Sequence, residues 1–260
     1  MTSTGRPYWI ELSSPDPAAG ATFYRDLLGW DGVSTEHRVD GPLHVQTAAS
    51  RPVAGVRAEP AADVGEWRVC MATGTVEDTI AAVARAGGKV ERSATAEDGR
   101  VVTAACVDGR GAAFTVCLPE GRPASADGDN GMFCHAELLS LDRVAAEKFY
   151  GAVFGWTVDP RPRPDYTYYE LTLDGVDIAG IMPLIQPSWP ADLAEQWMVY
   201  FQVDDCDTAA RRVTELGGTV EAPRDRISPG WVLVCRDPQG VLFNIIEFAP
   251  TIHSGAPSPT

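Results

Sequence analysis

The strongest constraint on this chain is that it is written twice. The segment WIELSSPDPAAGATFYRDLLGW from Trp9 to Trp30 matches HAELLSLDRVAAEKFYGAVFGW from His135 to Trp156 without a gap, 126 residues on. Glu11 pairs with Glu137, Asp16 with Asp142, Phe23-Tyr24 with Phe149-Tyr150, and Gly29-Trp30 with Gly155-Trp156. VEDTIAAVARAGGKVE from Val76 matches DCDTAARRVTELGGTVE, with Asp78-Thr79 lying 129 residues before Asp207-Thr208. The turn Asp108-Gly109-Arg110-Gly111 with the strand to Phe114 matches Asp237-Pro238-Gln239-Gly240 with the strand to Phe243 at the same interval. Three blocks in one order mean a duplicated unit.

Between the copies, Pro119 to Gly131 has almost no apolar side chains and many turn residues, the composition of a linker. The expected division is therefore a first domain over 5–119, a linker over 120–131, a second domain over 132–250 and a flexible tail over 251–260. Within each copy the pattern is strand, helix, several strands, and then the same again, which makes an α+β fold of two βαβββ units per domain. Tyr8–Ser13 reads as a first strand; Asp16 then caps a helix with Pro17 in its first turn, and Gly29 stops it. Helical spacing assigns Ala19, Phe23, Leu27 and Leu28 to the buried face, and Ala145, Phe149, Val153 and Phe154 to its counterpart. Tyr166–Leu173 is aromatic and β-branched enough for a strand that turns at Asp174-Gly175. A second helix over Thr208–Leu216 ends at Gly217-Gly218, before strands over Trp231–Cys235 and Val241–Phe248.

Charge narrows the partners. Lys plus Arg total 21 against 36 Asp plus Glu, and a net charge of −15 repels nucleic acid and anionic membrane surfaces. No apolar run approaches the roughly 20 residues that span a bilayer, and the first residues lack the apolar stretch of a signal peptide, so the expectation is a cytoplasmic protein. The six cysteines form no C-x-x-C pair and read as reduced thiols packed as small apolar side chains.

The entry strand running into Asp, the helix with Phe-Tyr, the Gly-Trp exit, the later helix ending in Gly-Gly and the terminal D-P-x-G strand together resemble the vicinal oxygen chelate superfamily. This family includes glyoxalases, bleomycin-resistance proteins and extradiol dioxygenases. The resemblance covers nearly the whole chain and implies two tandem domains, each a curved sheet around a small-molecule cavity. It also implies where a metal would be held in metal-using members. One ligand stands seven residues before the helix-opening Asp, a second on the strand ending in F-x-V-D, and a Glu seven residues after the Asp of the D-P-x-G turn. In the second half these positions hold His135, Met198 and Asn244; in the first half they hold Trp9, Arg68 and Thr115. A divalent site needs about three N, O or S donors, and a thioether with a neutral amide substitutes poorly for imidazole and carboxylate. The expectation is no metal and no other cofactor, with a weak divalent site at His135 and Glu137 left open.

His135 and Glu137 stand two apart on a strand and so share a face. This pair is the best catalytic candidate, since a carboxylate beside an imidazole can fix its tautomer and raise its pKa. The competing reading makes His135 a leftover ligand and the two matched glutamates structural. Tyr166, Tyr168 and Glu170 alternate on one strand and Met198, Tyr200 and Gln202 on another; with Asn244, and with Trp9 and Glu11 from the first half, they are the candidate ligand-binding residues. Trp67, Trp189, Trp197 and Trp231 could stack on an aromatic molecule, although packing is the commoner role of tryptophan. Glu247 has the opposite parity from Asn244 and should face away.

Two functional readings of different class follow. One is a metal-independent enzyme, of lyase, isomerase or cyclisation type, acting through His135 and Glu137 on an aromatic or polyketide-like metabolite. The other is a self-resistance protein that binds a drug without transforming it. A metal-dependent glyoxalase or dioxygenase is a weaker third. Duplication supplies within one chain the pairing that single-domain relatives reach by dimerising, so either a monomer or a homodimer fits.

Overall fold

The computed structural model describes residues 4–119, 129–163, 166–184, 193–222, 224–227 and 230–249. Most of the linker, Trp189 and the C-terminal tail lie outside the described residues. The first half runs β1 (Pro7–Ser14), α1 (Pro17–Leu28), β2 (Gly32–Arg38), β3 (Gly41–Ala48), β4 (Arg51–Ala58), β5 (Glu66–Ala72), α2 (Val76–Arg85), β6 (Lys89–Thr95), β7 (Val101–Val107) and β8 (Ala113–Cys117). The second half repeats this with β9 (Phe133–Ser140), α3 (Arg143–Phe154), β10 (Thr157–Pro162), β11 (Thr167–Leu173), β12 (Val176–Pro183), β13 (Gln196–Gln202), α4 (Cys206–Glu215), β14 (Thr219–Val220), β15 (Asp225–Ile227), β16 (Gly230–Arg236) and β17 (Leu242–Phe248).

Each half forms its own sheet, in the order β2-β3-β4-β1-β5-β8-β7-β6 and β10-β11-β12-β9-β13-β17-β16-β14. The two βαβββ units of a half therefore meet along their first strands. That seam is antiparallel and pairs Trp9 with Cys70 and Glu11 with Arg68 in the first half, His135 with Tyr200 and Glu137 with Met198 in the second. Outside the seam the neighbours are parallel: β12 sets Gly180 beside Glu137, and β17 sets Asn244 beside Tyr200. Residues far apart in sequence are thus gathered on one concave face.

Local chemistry explains the elements. The Asp16 carboxylate accepts from Ala19 N at 3.0 Å and Asp142 from Ala145 N at 3.0 Å, satisfying amides that a helix start leaves free. Gly29 and Gly155, at φ of 74° and 77°, end the helices in the left-handed region where a Cβ is penalised. Asp174 and Gly175, at φ of 54° and 75°, make the tight turn between β11 and β12.

The helix faces differ from expectation by one position. Gly20, Phe23, Tyr24 and Leu28 are buried in α1, with Ala146, Phe149 and Tyr150 in α3, whereas Ala19 is exposed. The reason is tertiary. Each of these helices is covered by the other half as well as by its own sheet, and Tyr24 and Tyr150 occupy the junction. Tyr24 Oη donates to Asp237 Oδ2 at 3.2 Å, and Tyr150 Oη donates to Asp108 Oδ2 at 3.1 Å. The Trp30 indole donates to Gly131 O, and the Trp156 indole to Gly5 O. Trp67 and Trp197, 4% and 3% exposed, pack edge-on against Tyr24 and Tyr150, so they serve packing. One core, running through both halves, results.

Candidate functional site

The concave face of the second sheet encloses a cavity of about 200 Å³. Its polar lining comes from β9 (His135, Glu137), from β11 and the residue before it (Tyr166, Tyr168, Glu170) and from β13 (Tyr200). Its apolar lining comes from Met182 on β12, Ile227 on β15, and Ile246 and Phe248 on β17; Cys134 and Arg163 complete it. Six of the eleven residues singled out from the sequence are thereby brought together.

The remaining five have other surroundings. Met198 is buried beneath the cavity with Leu139, Tyr200, Val232, Leu242 and Ile246. Asn244 is fully buried, and neither atom of its amide has a hydrogen-bond partner among the described residues. Gln202 lies beyond a register shift at Tyr200/Phe201 and does not line the cavity. Trp9 and Glu11 belong to the first half's own concave face.

That first face is filled. Trp9 packs with Tyr8, Leu43, Val45, Cys70, Ala72 and Cys117. Glu11 pairs with Arg38 at 2.9 Å and Arg57 at 3.4 Å, and Arg57 also holds Asp40 at 2.6 Å. The space left beside them is about 30 Å³, room for roughly one water. Among the described residues, the concave face of the second copy thus keeps the roomier polar cavity, about 200 Å³ against about 30 Å³.

Within that cavity the polar side chains hydrogen-bond in two pairs. His135 Nε2 lies 3.0 Å from Tyr168 Oη. Tyr200 Oη donates to Glu137 Oε1 at 2.9 Å. The sequence suggests that Glu137 contacts His135 and raises its pKa; instead His135 bonds the phenol of Tyr168 and Glu137 that of Tyr200. Burial lowers the imidazole to about 4, so it is neutral at pH 7. Burial raises Glu137 to about 7 against the opposing influence of the Tyr200 and Tyr168 hydroxyls, with the charge of Glu170 adding to the rise. Burial likewise raises Glu170, and pushes Tyr168 and Tyr200 well above the usual phenol range, with Glu137 adding.

Tyr168 can reach His135 because of a glycine. A Cβ on Gly180 would stand 1.7 Å from Tyr168 Oη, so the hydroxyl occupies space that any side chain there would claim. In the first half Gly55 lies beside Glu11, but the side chain above it is Leu43, 2.8 Å from the same hypothetical Cβ.

Strand parity identified the polar lining, and the same parity would have offered Ile246 and Phe248 from Asn244. Cys134 was not predictable: it is skipped in the pairing of β9 with β13 and turns to the cavity through that irregularity. Arg163 and Ile227 carry no sequence signal. Glu247 faces away as expected, and its carboxylate accepts from Cys206 N at 2.9 Å at the start of α4. Trp231 lies under the guanidinium groups of Arg224 and Arg226.

The donor set does not suit a divalent cation. Among the described residues no three His, Cys, Asp or Glu side chains converge, and His135 Nε2 is already engaged by Tyr168. The two remaining ligand positions hold the Met198 thioether and the Asn244 amide.

Two curved sheets built from paired βαβββ units, with a polar cavity on the concave face of one, define a tandem protein of vicinal oxygen chelate architecture. The chain belongs to the glyoxalase-like domain family of that superfamily, whose model matches residues 9–117 and again 137–246. It is 30% identical to the anthracycline biosynthesis protein DauV of a Streptomyces species, over 97% of this chain and 96% of that one. It is also 30% identical to CFP32 of Mycobacterium tuberculosis, over 95% and 96%. The Mn(II)-bound glyoxalase of Novosphingobium aromaticivorans shares the fold, with a TM-score of 0.63 at 17% identity over 100% of this chain and 96% of its own. No helix among the described residues is long and apolar enough to cross a membrane.

Proposed function

We propose that the chain is a metal-independent enzyme of secondary metabolism that moves a proton on a flat aromatic or polyketide-like ketone bound in the second-half cavity. The observation that carries this reading is the pairing of a neutral imidazole with a carboxyl poised near neutrality, His135 and Glu137, in one enclosed space. A base must be unprotonated and an acid protonated at the working pH, and burial sets both conditions here. Met182, Ile227, Ile246 and Phe248 offer an apolar surface to the ring system, while the tyrosines and carboxyls offer hydrogen bonds to its oxygenated edge. The likeness to DauV, named for anthracycline biosynthesis, supports a polycyclic aromatic ligand.

The chemistry suited to these groups is removal of a proton next to a carbonyl and its return elsewhere, as in an isomerisation, elimination or ring closure. His135 takes the proton, and Glu137 or a tyrosine donates to the enolate oxygen. The test is deuterium uptake from D2O at the position next to the carbonyl of a polycyclic aromatic ketone, followed by mass spectrometry. Uptake lost in His135→Ala and Glu137→Gln supports the enzyme. Tight binding with no uptake and an unchanged ligand mass would replace it with the sequestration reading, which the apolar part of the lining favours.

A further inference from the structure

We infer that the second-half cavity takes an anionic ligand, a flat aromatic molecule whose carboxylate pairs with Arg163 at the tip of the β10–β11 hairpin. The charge belongs to the ligand of the proposed function, and its assignment rests on the second-half cavity as the binding site but on no particular step of chemistry.

The hairpin decides where Arg163 points. Arg161 stands opposite Tyr168 and Pro162 opposite Thr167, and Arg163 N donates to Tyr166 O at 2.8 Å, closing the turn. By strand alternation Arg163 shares the face of Tyr166 and Tyr168, and it lines the cavity with them.

The first half contains the same hairpin with the pairing already made. Leu43 stands over Gly55 as Tyr168 stands over Gly180, and Leu43 is opposite Glu36 as Tyr168 is opposite Arg161. Two residues further toward the tip, Arg38 therefore corresponds to Arg163. Arg38 reaches in and bonds Glu11 Oε1 at 2.9 Å, and Glu11 is the counterpart of Glu137. An arginine at this position of the scaffold thus holds a carboxylate on the concave face.

In the second half that pairing is missing. Glu137 Oε1 accepts from Tyr200 instead, and Arg161 is held by Asp159 at 3.0 Å and Asp177 at 3.6 Å. Among the described residues no carboxylate stands within ion-pair distance of Arg163. A half-buried guanidinium without a carboxylate is out of pattern in a chain with 36 Asp plus Glu against 21 Lys plus Arg. Its charge is felt inside the cavity: burial raises Tyr166 and Glu170, and Arg163 opposes both rises.

The chemistry of the missing partner follows. A guanidinium stays charged at any working pH and donates two parallel N–H bonds to a carboxylate. Glu137 and Glu170 also line the cavity, so they repel a doubly charged phosphate more strongly than a singly charged carboxylate held at the Arg163 end. Met182, Ile227, Ile246 and Phe248 then face the ring system.

The experiment is calorimetry of the whole chain at pH 7 with two matched probes, 2-naphthoate and 2-naphthamide, which share a ring system and differ in charge. In the native protein the carboxylate should bind about tenfold tighter than the amide, and the margin should shrink with added salt. Arg163→Gln should bring the two affinities together by weakening the carboxylate, and Arg163→Lys should keep part of the margin, since the charge remains and the paired geometry is lost. Arg161→Gln, on the same hairpin, should leave the margin in place. Equal affinities in the native protein would overturn the inference, as would binding of neither probe or a margin that survives Arg163→Gln. The choice of cavity fails if Ile246→Trp, which fills it, leaves both affinities unchanged. Deuterium uptake absent with the margin intact would end the proton-transfer reading and leave the anionic ligand standing.

Discussion

Tyr150 of the second half donates to Asp108 of the first at 3.1 Å, and the relationship is returned by Tyr24 and Asp237 at 3.2 Å. Each aspartate uses its other oxygen to hold its own turn. Asp108 Oδ1 accepts from Arg110 N and Ala112 N, and Asp237 Oδ1 from Gln239 N and Val241 N. The repeated Phe-Tyr and D-x-x-G motifs are thus two ends of one contact, made across the duplication.

Removing a phenol leaves a buried carboxylate short of one charge-assisted donor. Tyr24→Phe and Tyr150→Phe should each lower unfolding free energy by about 1.5–3 kcal/mol, read from urea denaturation. Asp237→Ala should cost more, because it also frees two turn amides. Since one core joins the halves, each variant should keep a single transition. Two separated transitions would show that the halves fold independently.

The duplication, the βαβββ order, the caps and the polar lining were legible in the sequence, because each rests on periodicity or on a short local motif. The Tyr–Asp exchange was not, since half of each contact lies in the other copy, 42 residues away for Tyr150 and 213 for Tyr24, and spacing along one helix cannot show that a second surface covers it. The direction of the His135 shift was misjudged for a similar reason. Parity places His135 and Glu137 on one face, but residues two apart on a strand are separated by about 6.5 Å along it, too far for a direct bond and wide enough for a phenol from β11. Which side chain fills that gap depends on Gly180, whose meaning appears only once β12 is laid beside β9.

His135 and Glu137 should also set opposite dependences of stability on pH. His135 is lowered to about 4 when folded, so its contribution is full above the ordinary histidine value and is lost as pH falls toward 4. Glu137 is raised to about 7, so its contribution is full below the ordinary glutamate value and is lost as pH rises through 7. The two slopes largely cancel between pH 4.5 and 6.5 in the native chain. Glu137→Gln should therefore gain stability with rising pH across that window, and His135→Gln should lose it, each by on the order of 3 kcal/mol. Denaturant titrations at three pH values decide this; parallel curves for the two variants would contradict it.

The first half's ion cluster should matter for stability and leave the cavity alone. Arg57 has a side chain 10% exposed and holds both Glu11 and Asp40. Arg57→Ala leaves the buried Glu11 and half-buried Asp40 carboxylates with less compensation and should cost about 3 kcal/mol. Affinity of the second-half cavity for a polycyclic aromatic ketone, measured by calorimetry where both proteins are folded, should not change. A tenfold loss of affinity would mean that the first half takes part in binding.

The sharpest separation from metal-using members lies in Met198 and Asn244, and it can be reversed by design. Both are buried on the cavity's floor side, 1% and 0% exposed, and Tyr168 occupies the His135 nitrogen that a cation would need. Asn244→Glu alone supplies one carboxylate to an incomplete set and should bind no metal after desalting, while destabilising the fold through an unpaired buried charge. Asn244→Glu combined with Met198→His and Tyr168→Phe restores imidazole, imidazole and carboxylate, the minimum for a divalent ion. That triple variant should retain about one Mn(II) or Zn(II) per chain, and at a thousandfold excess over its dissociation constant the metal should restore about 4 kcal/mol. Adding His135→Ala should abolish retention. The comparison turns on the unmodified protein measured in parallel: if it too retains stoichiometric metal, the thioether and amide are better ligands in this setting than their chemistry implies, and the metal-free reading of the cavity falls.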